Sequence, residues 1–296
     1  MQLPFFQLDA FTDRPFSGNP AAVCPLDVWL PDATLQAIAA ENNLSETAFF
    51  VPTPSGHGHD SHYHLRWFTP AREIDLCGHA TLASAAVIFR DLHPDWETVT
   101  FSSMSGPLVV RRAGGGADPW LELDFPALPV TEEVPVSEAI VAALGTRPER
   151  VLDGGRELYA IVADAATVRA LNPDIAAILA TGPGSIVVTA PGDDGETAYV
   201  CRFFAPSFGV PEDPVTGSIQ CTLAPYWAAR LGTTTLPARQ LSARGGDLRV
   251  ALADEGRRVR IGGRAVFVIE GTFTLPDDGR HGNGAGHGDD AKERPA

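Results

Sequence analysis

Two segments, Arg66-Trp67-Phe68-Thr69-Pro70 and Arg202-Phe203-Phe204-Ala205-Pro206, repeat one pattern: an arginine, two aromatic residues, a small residue and a proline. After a short loop, each is followed by a small residue, a glycine and a polar residue at the expected start of a helix. These triplets are Cys77-Gly78-His79 and Thr216-Gly217-Ser218. The repeat predicts a strand, loop and helix unit that is used twice, in two similar halves that face each other.

The glycine of each triplet is suited to bind an anion. A glycine at a helix start lets a ligand approach the backbone, where free N–H groups and the helix dipole favour negative charge. Two such starts that converge would hold a small carboxylate or an enolate-like intermediate from both sides. A single triplet is more simply explained by helix capping. Its presence at matched positions in both halves favours a site made by Gly78 and Gly217.

Short strand-like runs alternate with a few separated helices along the rest of the chain, which indicates an α+β fold. The predicted helices span residues 32–42, 78–90, 137–144, 173–179 and 217–230. The predicted strands span residues 47–51, 63–68, 120–125, 159–163, 185–189, 199–204, 248–252 and 264–269. A proline-rich linker near the middle divides the chain into a first half, 1–126, and a second half, 127–275. Residues 276–296 are polar and glycine-rich, which predicts a disordered tail.

Composition excludes several classes of function. Among 296 residues there are 22 Lys+Arg and 37 Asp+Glu, which give a net charge of −15 and argue against binding to nucleic acid. The single lysine is Lys292, so Schiff-base, pyridoxal-phosphate and phosphate-loop lysines are excluded from the body of the chain. We expect no signal peptide and no membrane span. Four cysteines without close spacing fit a reducing cytoplasm.

Candidate proton carriers lie beside the two predicted helix starts. They are Cys77 and His79 in the first copy, and Glu212, Asp213 and Ser218 in the second. A helix N-terminus lowers the pKa of a thiol, which favours Cys77, although a free cysteine is more often a small buried residue.

Glu46 is a further candidate, because it stands where a helix is followed by an apolar strand. Desolvation at such a place suits a general acid/base, whereas an ordinary solvated turn residue is the simpler alternative. His57, His59, His62 and His64, with Asp60, could form a metal site, but their glycine- and serine-rich stretch is typical of a hairpin loop. We therefore predict no metal.

Taken together, these motifs resemble the phenazine-biosynthesis isomerase (PhzF-like) family, which shares the diaminopimelate epimerase fold. The matching segments are residues 7–12, 16–23, 43–49, 75–81, 209–218 and 240–246. The resemblance implies a cofactor-independent isomerase that acts on a small-molecule substrate. It also implies two pseudo-symmetric halves, each a curved sheet wrapped round a central helix, with the active site in the cleft between them. Members of the family commonly form homodimers.

The resemblance also implies roles for individual residues. The family's acid/base glutamate matches Glu46, and its further catalytic residues match His79 and Asp213. The positions that would bind the substrate are Gly78, Gly217, Ser218, Ser45, Cys77 and Thr216.

Two alternatives stay open at the level of sequence. Related racemases carry a cysteine before the glycine in both halves, whereas this chain has Cys77 in the first and Thr216 in the second. That pair resembles hydroxyproline dehydratases of the same superfamily, so an amino-acid epimerase or a hydroxyproline dehydratase is the enzymatic alternative. A non-catalytic protein that binds a small acid is the other, because a fold does not fix a function.

Overall fold

A computed structural model describes residues 1–53, 62–114, 120–130 and 132–275. In these residues the α-helices are α1 (Asp32–Asn42), α2 (Gly78–Val87), α3 (Glu138–Leu144), α4 (Ala165–Ala170), α5 (Ile175–Leu179) and α6 (Gln220–Leu231). The strands are β1 (Gln2–Ala10), β2 (Asn19–Pro25), β3 (Glu46–Pro52), β4 (His62–Phe68), β5 (Glu73–Ile74), β6 (Thr98–Ser103), β7 (Gly106–Ala113), β8 (Trp120–Pro126), β9 (Glu133–Val134), β10 (Arg150–Asp153), β11 (Leu158–Ile161), β12 (Ile186–Pro191), β13 (Tyr199–Ala205), β14 (Val210–Asp213), β15 (Thr235–Gln240), β16 (Gly246–Ala253), β17 (Arg258–Gly263) and β18 (Ala265–Thr274). This mixture confirms the predicted α+β class. The predicted tail, and His57, His59 and Asp60 of the possible metal site, lie outside the described residues.

The strands form one continuous sheet that contains the same pairing pattern twice. In the first copy β1 and β2 are antiparallel, β2 and β3 parallel, β3 and β4 antiparallel, β4 and β6 parallel, and β6, β7 and β8 antiparallel. In the second copy β10, β11, β12, β13, β15, β16 and β17 repeat this order. The two copies join where β8 pairs with β17. The sequence repeat therefore corresponds to two halves of the same topology.

The last strand, β18, pairs with the first. Its partner along the full length is β1, from Gln2 opposite Thr274 to Ala10 opposite Ala265. In the second half the corresponding neighbour of β10 is β9, which lies within the predicted linker, residues 126–135. The end of the predicted second half, 127–275, thus completes the sheet of the first half. The division at residue 126 stays a prediction.

Each half wraps round one helix. Every residue of α2 from His79 to Val87 is buried, and α2 contacts strands β1, β2, β3 and β8. The other central helix, α6, packs against β15, β16 and β17. A helix that is buried on all sides belongs in the core, which agrees with the predicted architecture. No helix in the described residues is long and apolar enough to cross a membrane.

The ends of the central helices differ from the predicted ranges. The regular part of α2 ends at Val87 and continues as a π-helical turn, Ile88–Leu92, instead of reaching residue 90 as α-helix. The predicted helix 217–230 becomes regular only at Gln220. Before that point the N–H of Gln220 donates to Gly217 O and that of Cys221 to Ser218 O, both at 3.0 Å, so the chain enters the helix through a tighter turn.

The repeated arginine has the same partner type in both halves. Nε and Nη2 of Arg66 each donate to Glu73 at 2.7 Å, across the hairpin of β4 and β5. Arg202 makes the same two contacts with Glu212, at 2.7 and 2.9 Å, across β13 and β14. Each bidentate ion pair joins the two strands of a hairpin, and the chain continues from this hairpin to a central helix. Glu212, a candidate proton carrier in the sequence analysis, is therefore committed to this ion pair.

Candidate active site

The starts of the two central helices meet at one point. A Cβ atom built on Gly78 would lie 3.8 Å from the Cα of Gly217, and one built on Gly217 would lie 3.9 Å from the Cα of Gly78. Both glycines line a cleft whose walls come from both halves. The free N–H groups of two helix starts are thus available to one anion, as the sequence repeat predicts.

All nine residues that the sequence analysis assigned to the site line this cleft. They are Ser45, Glu46, Cys77, Gly78, His79, Asp213, Thr216, Gly217 and Ser218. Ser218 is exposed, Ser45 and Glu46 are half-buried, and Cys77 and His79 are buried. The structure therefore brings the nine together, while the role of each stays a proposal.

Among the nine residues, Glu46 and His79 form the closest pair of ionisable groups. Glu46 is the first residue of β3 and His79 the second of α2, and Glu46 Oε2 lies 3.2 Å from His79 Nε2. Both atoms are buried, and among the described residues neither has a hydrogen-bond partner of good geometry. Burial lowers the pKa of the His79 imidazole, whereas the neighbouring Glu46 carboxylate raises it. The pair can thus share and move a proton.

The other edge of the His79 ring faces Cys77 and Asn19. Cys77 Sγ lies 3.4 Å from His79 Nδ1, and Asn19 Nδ2 lies 3.3 Å from the same atom. Burial raises the pKa of the Cys77 thiol to about 11, so the thiol is neutral near pH 7. The pKa of this thiol is raised, contrary to the sequence expectation, because loss of water and the Glu46 carboxylate outweigh the lowering influence of the Ala80 N–H at the helix start.

Asp213 ends β14 and approaches the cleft from the second half. Its Oδ1 accepts a hydrogen bond from Asn19 Nδ2 at 2.8 Å, and its Oδ2 accepts one from the Thr216 hydroxyl. Burial raises the pKa of Asp213 to about 6, against the opposing influence of His79. Near neutral pH this carboxyl can therefore either donate or accept a proton.

Side chains from several elements hold the loop from Asp213 to Thr216. Each of its four carbonyl groups accepts one side-chain hydrogen bond. The donors are Gln240 Nε2 to Asp213 O at 2.7 Å, Ser242 Oγ to Pro214 O at 2.7 Å, Asn19 Nδ2 to Val215 O at 2.9 Å and Gln220 Nε2 to Thr216 O at 3.1 Å. In addition, the Thr216 N–H donates to Gln240 Oε1 at 2.9 Å. The loop is thus fixed before any substrate binds.

The sequence analysis missed the residues that hold the site in place. Asn19, Gln220 and Gln240 are fully buried, and none was singled out. The sequence signal that could have found them is an amide side chain in an otherwise apolar stretch. Such an amide becomes buried, and a buried amide needs specific hydrogen-bond partners. Its partners, however, are up to 196 residues away along the chain, so no local pattern indicates which groups it serves.

Glu46, Cys77 and His79 are also the described residues that could hold a metal ion, since one ligand atom from each lies within 4.8 Å of the others. Yet Cys77 contacts Nδ1 and Glu46 contacts Nε2, on opposite edges of the imidazole. Such a row of polar side chains on both sides of the ring does not fit one shared ion, which takes a single histidine nitrogen. The absence of a resident metal stays a prediction.

Comparison with known proteins gives consistent matches along the chain. The family model described as "Phenazine biosynthesis-like protein" matches residues 8–271. An uncharacterized isomerase of Pseudomonas aeruginosa is 47% identical over 275 residues, which are 93% of this chain and 100% of that protein. The crystal structure of a phenazine biosynthesis PhzF-family protein from Enterococcus faecalis superposes with a TM-score of 0.85 at 44% identity, over 93% of this chain and 100% of that one.

A more distant structure bears on the fold alone. A probable proline racemase from Agrobacterium radiobacter superposes with a TM-score of 0.58 at 12% identity, over 93% of each chain. Together with the nearer structures, it confirms the predicted epimerase-like fold with its two halves.

Proposed function

The chain belongs to the phenazine biosynthesis-like protein family, and from this premise we propose that it is an isomerase of small carboxylate-bearing metabolites. The reaction is an acid/base shift of a proton from one carbon atom to another, without a cofactor. The observation that carries the proposal is the Glu46–His79 pair beside the facing glycines Gly78 and Gly217. One group of residues thereby offers a proton carrier and an anion site at the same place.

The geometry supports a simple sequence of steps. The substrate carboxylate binds at the N–H groups of the two helix starts, with Ser218 at the rim. The substrate is an unsaturated acid, and Glu46 takes a proton from the carbon next to its double bond. The negative charge then spreads toward the bound carboxylate, where the helix starts stabilise it. Glu46 then returns the proton to a different carbon, so that no atom is gained or lost. His79 supports Glu46, and Asp213 orients a polar substituent of the substrate.

The pseudo-symmetry supports an acid/base pair in one half only. Strand register and the sequence repeat place Ser185 at the position equivalent to Glu46, and Ser218 at the position equivalent to His79. Two-base racemisation would need an acid on each face of the stereocentre. The buried, neutral Cys77 thiol and the Thr216 hydroxyl, which donates to Asp213, do not favour the epimerase or dehydratase alternative.

Proton exchange with solvent tests the proposal with a set of candidate substrates. A panel of small unsaturated carboxylic acids, with and without an amino group, is incubated in D₂O with the enzyme, and C–H loss is followed by ¹H NMR. We expect at least one acid to exchange and isomerise, and Glu46→Gln to slow this by at least about 100-fold. Glu41→Gln is the control, because Glu41 is exposed on α1 outside the cleft.

The two alternatives give different results in the same experiment. An acid that binds but never exchanges would support the non-catalytic protein. Exchange that survives Glu46→Gln but is lost in Cys77→Ala would support the thiol-dependent alternative. The expected homodimer and cytoplasmic location stay predictions, and the oligomeric state is accessible by light scattering.

A further inference from the structure

Asn19 joins the ionisable groups of both halves. It is the first residue of β2, is fully buried, and uses one atom, Nδ2, for three contacts. Nδ2 lies 2.8 Å from Asp213 Oδ1, 2.9 Å from Val215 O and 3.3 Å from His79 Nδ1. The first two partners belong to the second half and the third to the first half.

The orientation of this amide follows from its partners. If the amide were rotated, its oxygen would face Val215 O, which can only accept, and Asp213 Oδ1, which accepts whenever this carboxyl is ionised. The N–H₂ group must therefore point toward them. Its two hydrogens serve these two acceptors, and the same nitrogen faces His79 Nδ1 at the longer distance of 3.3 Å. In the described part of the chain no donor reaches Asn19 Oδ1, although this atom is buried. The position thus uses Asn19 as a donor, and the oxygen is left unsatisfied.

This donor decides which edge of the His79 ring can carry a proton. An amide N–H₂ has no free lone pair, so a proton on Nδ1 would face a group that cannot accept it. The second neighbour of Nδ1 is the neutral Cys77 thiol at 3.4 Å, which has its own hydrogen to donate. At the opposite edge Nε2 faces the Glu46 carboxylate at 3.2 Å, an acceptor. Both sets of neighbours favour the same tautomer.

We propose that Asn19 is a positioning residue that keeps Nδ1 of His79 free of a proton, so that the ring proton sits on Nε2, beside Glu46. This inference deepens the proposed function and rests on it for its catalytic meaning. Asn19 acts through His79 and Asp213. Its role is to present the mobile proton to the acid/base glutamate while it fixes the loop of the second half.

The backbone before Asn19 is built to hold this position. Gly18 has a φ of +64°, and a Cβ atom there would lie 2.2 Å from Ala10 O, so only glycine fits. The Gly18 N–H donates to Gly245 O at 2.8 Å, and Arg244 Nε donates to Gly18 O at 2.8 Å. The segment is therefore anchored to the second half immediately before the side chain that spans the two halves.

Nitrogen NMR of the substrate-free protein measures the tautomer directly. The protein is labelled with ¹⁵N-histidine, and long-range ¹H–¹⁵N spectra are recorded from about pH 6 to about pH 9. The His79 signals are those absent from His79→Gln. In the wild type we expect a protonated Nε2 and an unprotonated Nδ1. In Asn19→Leu, which has similar volume and no polar group, the ratio of Nδ1–H to Nε2–H should rise about fivefold, because the N–H₂ group that disfavours a proton on Nδ1 is removed.

Ser242→Ala is the matched control. It removes a donor to Pro214 O in the same loop and does not contact His79, so it should leave the tautomer unchanged. Asn19→Ala replaces the leucine variant if thermal unfolding shows that the latter does not fold. A folded Asn19 variant with the wild-type ratio would overturn the proposal, as would a wild-type ring that carries Nδ1–H throughout the pH range or an equal change in Ser242→Ala. The tautomer experiment measures no turnover. Its outcome is therefore separate from the exchange experiment with Glu46→Gln, which tests the proposed reaction.

Discussion

At the scale of single residues, the cleft changes the chemistry of ordinary side chains by removing water from them. Burial makes Cys77 a neutral thiol and brings the pKa of Asp213 to about 6. Desolvation therefore disfavours the thiolate reaction that a cysteine at a helix start suggests, and it gives an aspartate a working range near neutral pH.

The raised pKa of Asp213 makes stability depend on pH. Between about pH 4 and about pH 6 the folded protein keeps a proton on Asp213 that the unfolded chain has released, so the free energy of unfolding falls as pH rises. Asp213→Asn removes this contribution. From pH 4 to pH 7 we expect the stability of the variant to rise relative to wild type by about 2 to 3 kcal/mol. Urea unfolding at several pH values measures it, with the exposed Asp27→Asn as control; parallel curves for Asp213→Asn and wild type would refute it.

The facing glycines give a second prediction at this scale. A Cβ on Gly78 meets only ordinary van der Waals contact, 3.8 Å from the Cα of Gly217, so Gly78→Ala should change the free energy of unfolding by less than about 1 kcal/mol. The same methyl group would occupy the space between the helix starts where we propose that the carboxylate binds. We expect proton exchange into the substrate to fall at least about tenfold.

The comparison of stability with exchange separates the two effects. Gly217→Ala should behave similarly, because its Cβ lies 3.7 Å from Phe11 Cζ and 3.9 Å from the Cα of Gly78. Full activity in both alanine variants would show that the carboxylate binds elsewhere.

At the scale of elements, the sequence repeat marks two braced hairpins. The arginine and the aromatic residues of each copy were visible in the sequence, but the partners Glu73 and Glu212 were not. They follow their arginines by 7 and 10 residues, because the intervening turns differ in length. The start of the second central helix was also predicted too early, at Gly217, because a tight turn precedes the regular helix. The local sequence pattern thus located each strand, loop and helix unit, whereas the geometry of the turns determined the ion-pair partner and the first residue of the helix.

Loss of one carboxylate should destabilise the second hairpin more than the first. In Glu212→Gln the guanidinium of Arg202, which is 12% exposed, loses its charged partner, and we expect a loss of about 2 to 4 kcal/mol. Glu73→Gln should cost less, because Arg66 also pairs with Asp32 at 2.9 Å. Denaturant unfolding measures both.

The control for this pair is an exposed one. Glu138→Gln breaks an ion pair with Arg147 whose side chains are 83% and 56% exposed, and should cost less than about 1 kcal/mol. Equal losses in all three variants would show that the hairpin pairs are no more important than a surface contact.

At the scale of the whole molecule, the two halves depend on each other through β18. This strand covers β1 along nine residues, and its side chains add the ring pairs Phe5–Phe273 and Phe6–Phe267, each with centroids 6.1 Å apart. The end of the chain therefore stabilises its beginning, and the first half is incomplete without the last strand of the second half.

Truncation tests this dependence. A chain that ends at Gly263 exposes the edge of β1, and we expect its thermal midpoint to fall by more than about 10 °C or its cooperative transition to disappear. A chain that ends at Leu275 keeps β18 and is the control. Calorimetry or circular dichroism measures the thermal midpoint of both chains. Equal midpoints would show that β18 is dispensable.

The repeat predicted the two halves and the meeting of Gly78 with Gly217. The alternation of strands and helices predicted the α+β class, and the motif resemblance identified the nine cleft residues. These features are local: a glycine before a helix, or a glutamate before an apolar strand, keeps its meaning in a short window of sequence. Helix α4 and ten strands were not predicted; these strands are β1, β2, β5, β6, β7, β9, β10, β14, β15 and β17. Short elements such as α4, six residues long, depend on tertiary packing more than on propensity.

By itself the sequence determined the repeated unit, the exclusion of lysine chemistry and the residues available for the reaction. Only the tertiary structure decided how these residues behave. It joined His79 to Asp213 through Asn19, committed Glu212 to Arg202, and made Cys77 a neutral thiol. The physical reason is that hydrogen bonding and desolvation depend on groups far apart in the chain, whereas helix starts and strand patterns depend on neighbours.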